Sequence, residues 1–260
     1  MQYRLGLVLS GGGIRAVAQA GVLAALAEEG IAPDCISGTS AGALVGALHA
    51  TGRTPLEIVD FFAQRSPFKL ANFALRKPGW LDTDKIVADF RHSFPDDSFA
   101  ALDRRLFVTA TDLVRARVEV FAAGPLIRPL VASSAVPFAF TPVAIDGRLF
   151  ADGGILNNFP VEPLLGLCDT LLGIHVSPLP RLAARELGSS LAVAQRAFEV
   201  GMFHASQRQF HRCDLVLRPA GLERFGLFDV KDREEVYELG LAAGREALPE
   251  IRRLLARGEG

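Results

Sequence analysis

The stretch CISGTSAGAL, Cys35 to Leu44, centres a serine in Gly38-Thr39-Ser40-Ala41-Gly42, a G-x-S-x-G pattern that follows a short apolar run. Glycines on both sides let a strand turn sharply into a helix, holding a hydroxyl out on a strained backbone. Such a hydroxyl becomes a nucleophile only when a base takes its proton. Upstream, in LVLSGGGIRAVAQAG, Gly11-Gly12-Gly13 stands between another apolar run and an alanine-rich stretch. Unpaired N–H groups at such a turn converge on one small space, which suits a phosphate or the oxyanion of an acyl transfer. Arg15, one turn further on, adds a positive charge to the same space.

Gly11, Gly13 and Ala16 also satisfy the loose G-x-G-x-x-G/A dinucleotide pattern. That pattern expects an acidic residue at the end of the second strand. Here Asp34 stands before Cys35-Ile36, at the wrong end, so nucleotide binding is the weaker reading and leaves Ser40 unexplained.

Two residues compete to be the base. His175, late in the apolar run TLLGIHVSP, would join Asp152 in the chain order serine, acid, histidine of an α/β-hydrolase triad. That fold, however, normally sets its elbow deeper in the sheet than a second strand. Asp152 itself, in GRLFADGGILNNFPV, precedes Gly153-Gly154 and therefore sits on a tight turn at a strand end. A carboxylate held against the hydroxyl can act as the base directly. Position alone does not separate Asp152 from an ordinary turn aspartate such as Asp146. His49, His92, His204 and His211 show no metal-site spacing.

These residues need elements to carry them. Strands are expected at Leu5–Ser10, Asp34–Ser37, Leu106–Thr111, Val118–Ala122, Thr170–Val176 and Leu215–Leu217, with a hairpin of two short strands in Pro142–Phe150 around Asp146-Gly147. Helices are expected at Ala16–Glu29, Ala41–Ala50, Pro55–Gln64, Asp82–Phe94 (capped by Asp82 or Thr83) and Leu191–Phe210, then a C-terminal helical region broken by Pro249. The alternation predicts an α/β layered fold with a mostly parallel sheet, in one domain spanning residues 1–260.

The 260 residues are half hydrophobic, with 28 basic against 29 acidic side chains, which gives no electrostatic basis for nucleic-acid binding. The three cysteines, Cys35, Cys168 and Cys213, are too scattered for a disulfide framework. No stretch reads as a signal peptide or a membrane span, so a cytoplasmic protein is expected, with peripheral membrane contact open. Eighteen phenylalanines against two tyrosines suit a core and an apolar channel. The segment Phe61 to Trp80 mixes Phe61, Phe62, Phe68, Phe73 and Trp80 with Arg65, Lys69, Arg76 and Lys77, as an interfacial cap or a buried connection would.

Three blocks in this order, LSGGGIRAVAQAGVLAAL, ISGTSAGAL and SSAVPFAFTPVAIDGRLFADGGILNNFPV, resemble the patatin-like phospholipases. The resemblance covers about the first two-thirds of the chain. It implies a three-layer α/β/α fold and a lipid acyl hydrolase with a serine–aspartate dyad, no histidine and no cofactor. Carried over, Ser40 becomes the nucleophile between Gly38 and Gly42. Asp152 becomes the base on the Gly153-Gly154 turn, and Gly11, Gly12 and Gly13 become the oxyanion hole, supported by Arg15. Ala16 departs from the glycine that many relatives carry there, leaving less room beside the loop. A non-catalytic relative that keeps the fold is the other reading, and the intact Ser40, Asp152 and glycine loop count against it.

Overall fold

Short apolar runs become strands and alanine-rich stretches become helices, in the order β1 (Tyr3–Leu9), α1 (Val17–Glu28), β2 (Cys35–Thr39), α2 (Ala41–Ala50), α3 (Pro55–Gln64), α4 (Thr83–Phe90), β3 (Arg105–Asp112), β4 (Arg117–Phe121), α5 (Ile127–Ser133), β5 (Val143–Ile145), β6 (Arg148–Asp152), β7 (Cys168–Ile174), α6 (Ser190–Gln207), β8 (Leu215–Leu217) and α7 (Arg233–Arg257). This computed structural model describes residues 3–64, 81–137, 139–227 and 229–257. The cap expected beyond Phe62 falls almost wholly on residues 65–80, outside the described residues.

Hydrogen bonds join the strands into one sheet in the order β5-β6-β3-β2-β1-β7-β8, with β4 added on β3. β1 runs parallel to β2 and β7, as do β3 to β2 and β8 to β7. The antiparallel pairs gather around β3 and β6. Side chains alternate across the strands. Leu5, Leu7, Leu9, Ile36 and Leu106 face a large core shared with α1, α2 and α7. Val8, Cys35, Phe107 and Leu171 face a smaller one closed by Phe159, Val161 and Leu164.

The register around β3 determines where the chain brings its distant halves together. β4 pairs with Val108–Asp112 along one edge of β3. β2 pairs with Arg105–Thr109 and β6 with Ala110–Asp112. Both overlap β4, and a strand has two edges, so β2 and β6 share the other edge end to end. Thr39 stands opposite Thr109 and Asp152 opposite the next residue, Ala110. The C-terminal ends of two strands running in opposite directions therefore meet.

The hairpin expected around Asp146-Gly147 forms, and β3 with β4 makes a second. Ala116 turns β3 into β4 with φ 51°, and Asp146 and Gly147, at φ 48° and 73°, turn β5 into β6. Asp82 caps α4, accepting from Asp84 N at 3.1 Å. Two expectations change. The helix from Asp82 ends at Phe90. The helix with Pro249 runs unbroken from Arg233 to Arg257. A proline inside a helix costs about 3 kcal/mol, and burial of Leu248, Ile251 and Leu255 on both sides of it holds the helix together.

Candidate active site

At the end of β2 the backbone of Ser40 takes φ 55° and ψ −130°, a conformation that L residues with a side chain rarely adopt. Neighbouring contacts hold it there. A Cβ placed on Gly38 would sit 2.7 Å from Ala43 N, and one on Gly42 would strike the carbonyls of Leu9 and Ser10. Ser40 N donates to Ser133 Oγ at 2.8 Å, and Ser133 Oγ donates to Thr109 O at 2.6 Å. Ser133 ends α5, a helix absent from the sequence reading because its seven residues carry no cap or period of their own.

Asp152 arrives from β6. Its N–H donates to Ala135 O at 2.9 Å, and its carbonyl accepts from Thr111 Oγ1 at 2.9 Å. Gly153 has no room for a side chain, since a Cβ would meet Thr109 O and Thr39 Cγ2. Asp152 Oδ1 accepts from Gly154 N at 2.7 Å, while Oδ2 is buried with no hydrogen-bond partner among the described residues. Burial pushes this carboxyl up to about 7, and the Gly154 N–H and the Ser40 hydroxyl draw it partly back. The hydroxyl is thus within electrostatic reach of the carboxylate, although the two stop short of an ordinary hydrogen bond. Such bonds commonly tighten only when substrate arrives.

Gly12 and Gly13 line the same cavity as Ser40 and Asp152. Among the described residues neither of their N–H groups donates to another group. Gly13 has no room for a side chain: its φ is 59°, and a Cβ there would strike Leu227 O. Gly11 is placed differently: its N–H donates to Asn158 O at 3.3 Å, so it braces the loop. Arg15 is buried, donates from Nε to Gly12 O at 3.2 Å and faces a second cavity beside Arg196 and Glu199. Burial lowers its pKa and Glu199 opposes that. The charge expected in the space before the glycine loop thus lies behind it, because Arg15 turns to Gly12 O and the second cavity.

The first cavity measures about 190 Å³, and its apolar wall includes Leu44, Phe61, Phe62, Phe90, Phe140 and Met202. The phenylalanine surplus is thus partly spent on a channel to Ser40. His175 lies elsewhere in character. Its ring packs against Phe159, Phe203 and Phe210, its Nε2 is buried without a partner among the described residues, and burial drives its pKa down to about 3. No hydrogen bond links it to Ser40 or Asp152 among the described residues.

The sequence reading missed Ser133, Ser134, Asn158 and Leu227. Ser134 Oγ and Asn158 Nδ2 are buried, unpartnered among the described residues, and on the cavity wall. Asn158 stood in plain view in the ILNNFPV run, but a buried donor without a partner is visible only in three dimensions. No helix among the described residues is long and apolar enough to cross a membrane.

Residues 7–165 match the family described as Patatin-like phospholipase. An uncharacterised NTE family protein of Mycobacterium bovis is 36% identical over 171 residues, covering 63% of this chain and 46% of that protein. Lysophospholipase nte1 of Aspergillus niger is 26% identical over 96% of this chain and 18% of its own length. The chain thus spans less than half of each relative. Human GIVD cytosolic phospholipase A2 shares the fold with a TM-score of 0.53 at 13% identity, covering 98% of this chain and 59% of that one.

Proposed function

Because this chain belongs to the patatin-like phospholipase family, we propose that it is a serine hydrolase of lipid carboxylic esters, working through Ser40 and Asp152. Membership supports the substrate class, since a relative carries the name lysophospholipase. One observation carries the chemistry: the hydroxyl on a strained elbow and a buried, half-satisfied carboxylate share an apolar cavity with two glycine N–H groups, Gly12 and Gly13, that have no acceptor among the described residues.

Ser40 Oγ attacks the acyl carbonyl carbon as Asp152 Oδ2 accepts its proton. The carbonyl oxygen, now negative, receives the N–H groups of Gly12 and Gly13, donors typically worth a few kcal/mol each in such a transition state. Collapse breaks the ester bond, and Asp152 returns the proton to the leaving alcohol oxygen. Water then attacks the acyl-enzyme, giving its proton to Asp152, and the fatty acid leaves as Ser40 recovers its hydrogen. The acyl chain lies along the phenylalanine-lined wall. The chemistry calls on no cofactor.

A fluorophosphonate probe tests the assignment. Wild type should label and Ser40→Ala should not, and the variant should lose ester hydrolysis by at least about a thousandfold. Equal labelling of both proteins removes Ser40 from the active site.

A further inference from the structure

Asn158 is 1% exposed, and its carboxamide lies at the centre of the site. A Cβ placed on Gly11 would sit 2.5 Å from Asn158 Oδ1 and 3.0 Å from Ser40 Cβ, so these two side chains crowd one point. A Cβ on Gly154 would sit 3.0 Å from Asp152 Oδ1 and 3.1 Å from Asn158 Oδ1, which places the same carboxamide beside the carboxylate. The backbone is already committed, because Asn158 O accepts from Gly11 N. The side-chain donor is not committed: Nδ2 is buried without a partner among the described residues, and a half-turn of the carboxamide exchanges it with Oδ1, the atom that faces Ser40 and Asp152 where Asn158 lines the cavity.

A buried amide donor left without a partner is costly, and groups of this kind call for an explanation. The cavity wall is otherwise chiefly apolar, so an acceptor must come with the substrate. An ester offers one strong acceptor that gains charge during reaction, its carbonyl oxygen, and this atom must sit between Ser40 and the glycine loop.

We infer that Asn158 contacts the substrate, its Nδ2 donating a hydrogen bond to the acyl carbonyl oxygen as a third donor beside the Gly12 and Gly13 N–H groups. The inference rests on the Ser40–Asp152 reading and adds a residue to it. The bond strengthens as the oxygen becomes negative, so Asn158 acts mainly on kcat. The glycine loop keeps its anchor when the side chain changes, because that anchor is a backbone carbonyl.

Asn158→Leu keeps the side-chain size and removes the donor. With a soluble p-nitrophenyl ester as substrate, its kcat should fall about a hundredfold with KM nearly unchanged. The pH midpoint of kcat/KM should stay at the wild-type value. A trifluoromethyl ketone, which forms a tetrahedral adduct with the serine, should bind more weakly by a similar factor. Asn158→Ala gives the same comparison should the leucine variant fold poorly. Full activity in a folded variant overturns the inference. A moved pH midpoint with an intact plateau also overturns it, because Asn158 would then act by pairing with Asp152. Ser40→Ala runs alongside: if it keeps wild-type turnover, the dyad reading falls, whereas an inactive Ser40→Ala beside a fully active Asn158 variant sinks only the role of Asn158.

Discussion

Burial lifts the Asp152 carboxyl to about 7, and the Gly154 N–H and the nearby Ser40 hydroxyl recover only part of the shift. A base must be ionised to take the Ser40 proton, so kcat/KM should rise tenfold per pH unit below about 7 and level off above it. Folding raises this pKa above its unfolded value near 3.9, so the native state binds the proton more tightly. The contribution to stability is full below about pH 4 and is lost as pH rises through 7. Asp152→Asn, which cannot ionise, should match wild type in thermal stability near pH 4 and exceed it above pH 7, while hydrolysis is lost. Melting curves at several pH values check this; a variant that is less stable at pH 8 would show the carboxylate to be held by partners stronger than the described ones. His175→Gln should leave hydrolysis within a few-fold of wild type, since that ring lies among phenylalanines.

The elements succeed at this site by ending where they do. β2 and β6 share one edge of β3 and stop on adjacent rungs, and α5 delivers Ser133 to the Ser40 amide. The hydroxyl of Ser133 relays that amide to Thr109 O, and Ser133→Ala leaves both without their partner. We expect it to cost about 1–3 kcal/mol and to reduce turnover at least tenfold, read by denaturant unfolding and ester hydrolysis on the same preparation. Unchanged stability and rate would mean that the glycines alone hold the elbow. The G-x-S-x-G spacing and the Asp146-Gly147 turn were legible in the chain because each is enforced by neighbours a few residues away. α5 was not, since its support comes from β3 and β6.

Across the whole molecule, α7 packs along α1 at backbone distance. A Cβ on Gly240 would overlap Ala18 O, and one on Gly244 would sit 2.7 Å from Ala25 Cβ. This close contact supports α1, which runs from the glycine loop. Gly240→Leu should separate the helices, cost about 3 kcal/mol or more, and lower the melting temperature by several degrees. Fluorophosphonate labelling of the fraction that remains folded should persist, because Ser40 and Asp152 are held by other strands. A variant that melts like wild type would show that the two helices do not need their close approach.

Local order and chemistry were written in the residue string: the elbow glycines, the glycine-rich turn, the aspartate before two glycines, and the period of most strands and helices. Each depends on backbone freedom or side-chain period over a few positions. The meeting of the strand ends that carry Ser40 and Asp152, the burial that raises the carboxyl pKa, the packing of His175 among phenylalanines and the Asn158 amide left without a partner among the described residues came from folding alone. They depend on which strand ends meet and on how much water is shut out, quantities that exist only when residues a hundred positions apart are brought together.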